Sequence, residues 1–237
     1  TEEVLGWMRE AGMQASLDAI GNVAGRYEGT RAGLPCLMLG SHLDTVRDAG
    51  KYDGMLGVIS AIECVDALNR QQKKPPFAIE VIGFGDEEGV RFGATLIGSK
   101  AMAGRFDPAW LDKTDDAGIT MRQALVDFGG DPDRWHEIDR RGKNVVAYVE
   151  SHIEQGPVLE SLGKPVGVVG GIVGIIWSEV IVIGQSDHAG PSPMPLRKDA
   201  LMAASTMIAA IEKLALDRDD VAVATVGRIA VEPDTIN

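Results

Sequence analysis

Three apolar segments of this chain are each followed directly by side chains that bind metals in proteins. These side chains are His42, Asp44 and Asp53 after the first segment, Glu87 and Glu88 after the second, and His152 after the third. Imidazole nitrogens and carboxylate oxygens together are typical ligands of zinc-type hydrolytic centres, where the metal activates a water molecule. The residue types therefore indicate metal-assisted hydrolysis.

The first group lies in Gly-Ser-His-Leu-Asp-Thr-Val, and Asp53 follows Asp44 by nine residues in Tyr-Asp-Gly. A lone His-x-Asp pair or Asp-Gly turn is common in ordinary loops. In a metal site, His42 would offer a neutral imidazole nitrogen, and Asp44 would accept a hydrogen bond from the other ring nitrogen. Asp53 has two carboxylate oxygens and could bridge two metals.

The second group contains three adjacent acidic residues, Asp86, Glu87 and Glu88. Their charges repel one another, so a purely structural role requires all three to be solvated at a loop tip, whereas a divalent cation relieves the repulsion directly. One carboxylate can bind the metal while its neighbour acts as general base on the activated water. A lone His152 would usually be structural, but the whole set has no comparably simple structural explanation.

Strands that alternate with helices must position these side chains. The sequence predicts a helix ending at Gly12, a turn and short strand over 17–27, strands at 36–40, 79–84 and 145–149, helices at 58–68 and 95–103, and short surface helices over 107–141,. This alternation predicts an α/β fold, with a mixed, mostly parallel sheet flanked by helices. Because ligands bind beyond the carboxyl ends of parallel strands, we expect the three groups to converge at one sheet edge.

The pattern of apolar residues changes after the glycine-rich stretch 166–174. Residues 175–184 alternate like a half-buried strand, 202–214 have a helical pattern, and 221–226 form a second candidate strand,. We therefore predict a first domain over 1–173 and part of a smaller α+β domain over 174–237. Because the chain starts without Met and ends without a closing element, we expect it to be truncated at both ends.

Composition narrows the possible partners. The net charge of −12 argues against nucleic acid and anionic membranes, which require clustered Lys and Arg,. The sequence contains no run of about eighteen apolar residues, so it predicts no membrane span,. Cys36 and Cys64 form no disulfide framework and are interpreted as buried structural thiols in a cytoplasmic protein,.

Five motifs, in this order, resemble those of the M20-type metallohydrolases: Gly-Ser-His-Leu-Asp-Thr-Val, Tyr-Asp-Gly, Asp-Glu-Glu-Gly-Val-Arg-Phe, Ser-His-Ile-Glu-Gln-Gly and Asp-His-Ala-Gly-Pro-Ser-Pro-Met. The resemblance covers the whole chain. It is strongest to the amidase branch of N-carbamoyl-L-amino acid hydrolases, allantoate amidohydrolases and β-ureidopropionases. The sequences His-Ile-Glu-Gln-Gly and Glu-Glu-Gly-x-Arg-Phe favour this branch over the peptidases.

The resemblance implies a zinc-peptidase-like catalytic domain that holds two divalent metals, with Zn²⁺ expected and Mn²⁺, Co²⁺ or Ni²⁺ as alternatives. The implied roles are His42 and His152 on one metal, Glu88 on the other, Asp53 as bridge, Glu87 as general base and Asp44 as the residue that orients His42. A further metal-binding His and a substrate-binding Arg are expected beyond the end of the chain.

For residues 174–237, the resemblance implies a lid or dimerisation domain and hence a homodimer. His188 would reach the active site of the partner subunit, where it binds the substrate or polarises its carbonyl group. Gln155 and Asn237 match amides that contact the substrate, and Arg197 is a further substrate-binding candidate.

The implied reaction is hydrolysis of a linear C–N bond in a small ureido or carbamoyl substrate, with release of ammonia. One alternative is an aminopeptidase or dipeptidase that uses the same metals on a peptide bond. Another, of a different class, is a non-catalytic binding or oligomerisation module with this fold. A Ser or Cys hydrolase is not favoured, because no Gly-x-Ser-x-Gly motif is present and neither cysteine adjoins a plausible base,.

Overall fold

The structure, a computed structural model, describes residues 1–221 and 223–234. It divides the chain into two compact units, Thr1–Gly163 and Lys164–Asn237. This division falls before the boundary predicted after residue 173. The catalytic role of the first unit and the lid or dimerisation role of the second stay predictions.

The first unit contains a five-stranded sheet and five α-helices. The strands are β1 (Gln14–Leu17), β2 (Val23–Tyr27), β3 (Cys36–His42), β4 (Ala78–Phe84) and β5 (Val145–Val149). The helices are α1 (Glu2–Glu10), α2 (Met55–Arg70), α3 (Ile97–Met102), α4 (Met121–Phe128) and α5 (Val158–Ser161), with 3₁₀ helices at Pro108–Asp112 and Pro132–Ile138. Every element predicted between Thr1 and Val149 is confirmed, and only β1 in that range was not foreseen.

The strand order is β1-β2-β4-β3-β5. Parallel pairing joins β4 to β3 and β3 to β5, and antiparallel pairing joins β1 to β2 and β2 to β4. The mixed α/β sheet is confirmed, but parallel pairs make up half of the pairings rather than most of them. The reason is the hairpin of β1 and β2, whose tight turn reverses the chain, whereas α2 carries it across from β3 to β4.

Helices α1 and α2 cover one face of the sheet. On α2, Val58, Ile62 and Val65 recur at helical spacing and are almost fully buried in one cluster with Val81 of β4,. Cys64 lies between these positions and is exposed, so the prediction that both cysteines are buried is wrong for Cys64 and confirmed for Cys36. Every residue of β4 is buried, as expected for a strand covered on both faces,.

The second unit contains the long helix α6, Ala200–Asp217, which confirms the helix predicted over 202–214. The strand predicted over 175–184 is wrong, since the structure gives these residues no strand pairing, and the described residues of 221–226 are not a strand either. A strand needs a partner, and within the described part of this unit no segment pairs with 175–184. Most of its apolar side chains stay exposed, and Trp177 retains 92% of its accessible surface.

No helix in the described part of the chain has the length and apolar character needed to cross a membrane.

Candidate metal centre

The carboxyl ends of β3, β4 and β5 bring the predicted ligands together. His42 is the last residue of β3 and is paired with Phe84, the last residue of β4. Ligand atoms of His42, Asp53 and His152 all lie within 4.8 Å of one another, and a second such set consists of His42, Glu87 and Glu88. Residues more than 100 positions apart in the chain therefore form one cluster at the sheet edge where the topology places it.

Two backbone carbonyls set the orientation of both imidazoles. The Nδ1 atom of His42 lies 2.7 Å from the carbonyl oxygen of Asp44, and the Nδ1 atom of His152 lies 2.9 Å from that of Ile153. Since a carbonyl oxygen only accepts hydrogen bonds, each Nδ1 must carry the proton. Each neutral ring then presents the lone pair of Nε2, which is the form that binds a metal.

The two Nε2 atoms face each other across 3.2 Å, and an oxygen of Asp53 lies 3.3 Å from Nε2 of His152 and 3.9 Å from Nε2 of His42. In the neutral tautomers, three acceptors point at one another with no proton between them. Two ligands of a tetrahedral zinc ion, each about 2.0–2.1 Å from the metal, lie roughly 3.3 Å apart. The donor set and its spacing thus fit a zinc-sized cation.

Asp53 is held at the start of α2, directly before Gly54. Gly54 has a φ of +76°, and a Cβ atom there would lie 2.4 Å from the His42 ring, so both the backbone conformation and the space require glycine,. The carboxylate of Asp53 is buried and accepts hydrogen bonds of 3.0 Å at both oxygens from the side-chain amide of Gln155. Gln155 therefore contacts a predicted metal ligand, and its predicted role in substrate binding stays a prediction.

Asp44 does not contact His42 in the way that was predicted. Its backbone carbonyl, not its carboxylate, accepts the hydrogen bond from the His42 ring. The carboxylate instead accepts hydrogen bonds of 3.0 Å from the backbone N–H groups of Glu87 and Glu88. Asp44 thus joins the loop after β3 to the loop after β4, and it contacts three of the predicted site residues, His42, Glu87 and Glu88.

We expect Asp44→Asn to lower the free energy of unfolding of the metal-free protein by about 1–3 kcal/mol. The reason is that an asparagine NH₂ would face one of the two backbone donors and leave it without an acceptor. Urea unfolding followed by circular dichroism measures this change. Asp48→Asn is the matched control, because Asp48 is exposed in the same loop. Equal unfolding free energies for the two variants would contradict the bridging role of Asp44.

The acidic segment after β4 lies partly out of solvent. Burial raises the pKa of Glu87, while the nearby His42 opposes this rise, and burial together with the charge of Asp44 raises the pKa of Asp86 to about 6. A cation bound at the cluster would lower these values again, since it favours the charged carboxylates. In this structure His42 belongs to both candidate ligand sets, so the predicted division of ligands between two metals and the bridging role of Asp53 stay predictions.

The second unit contains His188 and Arg197, and Asn237 lies outside the described residues. The backbone N–H of Gly190 donates to Nδ1 of His188 over 3.1 Å, which leaves the proton of the neutral ring on Nε2,. Arg197 donates from Nε to the carbonyl of Ser192 over 3.0 Å and from Nη2 to the carbonyl of Ala189. Arg197 therefore closes the loop that begins at His188, and its predicted contact with substrate stays a prediction.

The α/β sheet carries an imidazole–carboxylate cluster at the carboxyl ends of its strands, a donor set that suits a divalent metal,. The family model described as peptidase family M20/M25/M40 matches residues 38–233. The chain belongs to this family.

Among curated proteins, the chain is 44% identical over 234 residues to an N-carbamoyl-L-amino-acid amidohydrolase of Pseudomonas sp. (strain NS671), an alignment that covers 98% of this chain and 56% of the relative. It is 42% identical over 224 residues to the allantoate deiminase of Arabidopsis thaliana, which covers 92% of this chain and 42% of that protein. The chain thus spans about half the length of the curated relatives it matches.

Among solved structures, the chain is similar to an amidase of the hydantoinase/carbamoylase family from Burkholderia multivorans. The TM-score is 0.81 at 31% identity, and the match covers 100% of this chain and 57% of the other. Both the sequence and the structural matches thus lie in the amidase branch that the motifs resemble.

Proposed function

We propose that this chain belongs to a metal-dependent amidohydrolase that cleaves the linear C–N bond of a ureido or carbamoyl compound of the N-carbamoyl-L-amino acid or allantoate type and releases ammonia. The observation that carries the proposal is the cluster of three acceptors, Nε2 of His42, Nε2 of His152 and the Asp53 carboxylate, at the spacing of zinc ligands. The names of the relatives support the substrate class.

In the proposed site, His42, His152 and Asp53 would hold one divalent metal, and Glu88, together with Asp53, would hold a second. Zn²⁺ fits this donor set, and Mn²⁺, Co²⁺ and Ni²⁺ are alternatives. When bound there, the metals would act as Lewis acids that polarise the carbonyl and lower the pKa of water, so that hydroxide would be available at neutral pH.

Glu87 is the proposed general base. It takes a proton from the attacking water and returns it to the nitrogen that leaves with the broken C–N bond. Its ligand atom lies within 4.8 Å of the ligand atoms of His42 and Glu88, so its carboxylate is within reach of water activated at the cluster,.

His188 is the proposed donor to the carbonyl oxygen of the substrate, acting at the site of a partner subunit in a homodimer formed through residues 174–237. The Gly190 contact supports this role, because it leaves the His188 Nε2–H free to donate,. Arg197, through the same loop, keeps the imidazole in place, and Gln155 and Asn237 supply amides to the substrate. The free cysteines, Cys36 and Cys64, support a cytoplasmic location,.

A panel of substrates tests the proposed function. We expect the full-length protein loaded with Zn²⁺ or Mn²⁺ to release ammonia from an N-carbamoyl-L-amino acid or from allantoate, and to leave dipeptides intact. Dipeptide cleavage without ammonia release would instead support the peptidase alternative, which shares the family. A metal content near zero that added Zn²⁺ or Mn²⁺ does not raise would support a non-catalytic module.

A further inference from the structure

The backbone pairing between β3 and β5 ends before it reaches His42 and His152. The parallel register of β3 and β5 ends at Leu39 and Val149, three residues before His42 and His152 respectively. His42 is still held by pairing with β4, whereas His152 lies in an irregular segment after β5. Something other than the sheet must therefore set the position of His152 relative to His42.

The carboxylate of Glu150 spans this gap. Its Oε1 atom accepts a hydrogen bond of 2.7 Å from the hydroxyl of Ser41, and its Oε2 atom accepts one of 2.7 Å from the hydroxyl of Tyr148. Ser41 is fully buried and directly precedes His42, and Glu150 lies two residues before His152. Burial raises the pKa of Tyr148, so its hydroxyl keeps the proton that it donates.

Helix α2 restricts the same segment from the other side. A Cβ atom at Gly57 would lie 2.2 Å from the carbonyl oxygen of Ser151 and 2.7 Å from Cβ of Ser41. The backbone of α2 therefore lies directly against both the residue before His42 and the residue before His152. This packing supports the chain next to both ends of the Ser41–Glu150 hydrogen bond.

We propose that Glu150 is a positioning residue that, through Ser41 and Tyr148, holds His152 at the distance from His42 that a metal requires. The inference rests on the proposed function of the cluster as a metal centre. The Ser41–Glu150 bond continues the connection between β3 and β5 beyond the last backbone pair, and it fixes the 3.2 Å separation of the two Nε2 atoms.

Cobalt binding by the full-length protein tests this role, because Co²⁺ reports both affinity and ligand geometry through its visible absorption. We expect Ser41→Ala and Glu150→Ala each to weaken Co²⁺ binding by about 10–100-fold, the range for partners that orient metal ligands, and to change the absorption spectrum. Because both remove the same hydrogen bond, the double variant should bind Co²⁺ about as well as Glu150→Ala alone.

Two further variants complete the design. Tyr148→Phe removes the second hydrogen bond at a half-exposed position and should weaken Co²⁺ binding with little risk to folding, which keeps the test decisive if Ser41→Ala does not fold. Glu154→Ala is the control, since it removes a carboxylate from the same segment that hydrogen-bonds only to the backbone N–H of Leu159 among the described residues. Its Co²⁺ affinity and spectrum should stay those of the unsubstituted protein.

The outcomes separate the two proposals. Unchanged Co²⁺ affinity in Ser41→Ala and Tyr148→Phe, or multiplied effects in the double variant, would overturn the positioning role while the metal centre stands. Failure of the unsubstituted protein to bind Co²⁺ would overturn the metal centre and this inference with it.

Discussion

Replacing Glu87 by glutamine should lower kcat by about 10²–10⁴-fold, the contribution of a positioned general base, while the metal content stays unchanged. The amide has the size of the carboxylate but cannot take a proton from water at neutral pH. In the proposed site the metal is held by other residues, since the acceptors that match zinc spacing belong to His42, His152 and Asp53. Ammonia release and elemental analysis of the same full-length sample measure the two quantities.

Glu160→Gln is the matched control, because Glu160 is an exposed glutamate of α5. It should leave both kcat and metal content unchanged. If the Glu87→Gln enzyme retains more than roughly a tenth of the normal kcat, Glu87 is not the general base. Loss of metal in Glu87→Gln would instead make Glu87 a ligand, a role that the set of His42, Glu87 and Glu88 permits.

The position of the cluster was predictable because it follows from local patterns. Apolar segments that end in a histidine or in paired carboxylates identify the ends of β3, β4 and β5, and parallel strands place those ends together. The pairing of His42 with Phe84, and of β3 with β5, realises that expectation. Short polar strands such as β1 were not predictable in this way, since its four residues, Gln14–Leu17, are only partly buried.

The partners of the polar atoms were not predictable from spacing. In a His-x-Asp sequence, both the carboxylate and the carbonyl of the aspartate can reach the imidazole. The N–H groups of Glu87 and Glu88, 43 and 44 residues away, donate to the Asp44 carboxylate. The carbonyl oxygen of Asp44, and not its carboxylate, therefore accepts the hydrogen bond from His42. The Ser41–Glu150 bond spans 109 residues and has no local signature at all.

The strand wrongly predicted over 175–184 also shows that a local pattern does not determine long-range pairing. Its alternating pattern is a local feature, whereas a strand exists only where a second strand pairs with it. Residues 200–217 could be predicted as a helix because helical hydrogen bonds form within the segment, and because Asp199 caps it through the N–H of Met202,.

Replacing Asp53 by alanine should remove bound metal, with a loss of affinity greater than the roughly 10–100-fold that follows loss of an outer partner. Asp53 supplies the only negative charge of the three acceptors at zinc spacing, and its carboxylate is buried beside the imidazoles of His42 and His152. Without it, the two remaining acceptors at this spacing are neutral rings, and neither offsets the charge of the dication. Titration of the metal-free full-length protein with Zn²⁺ against a chelating indicator measures the affinity.

The control must distinguish two effects of Asp53→Ala, the loss of a metal ligand and the loss of the hydrogen bonds that hold Gln155. Asp53 accepts two such hydrogen bonds from Gln155. Gln155→Leu removes those hydrogen bonds and keeps the carboxylate, and Asp116→Ala removes an exposed carboxylate elsewhere. If Asp53 is a ligand, Zn²⁺ affinity falls steeply in Asp53→Ala, much less in Gln155→Leu and not at all in Asp116→Ala. Equal losses in Asp53→Ala and Gln155→Leu would instead mean that Asp53 acts by holding the segment of His152, and the metal would then need another anionic ligand.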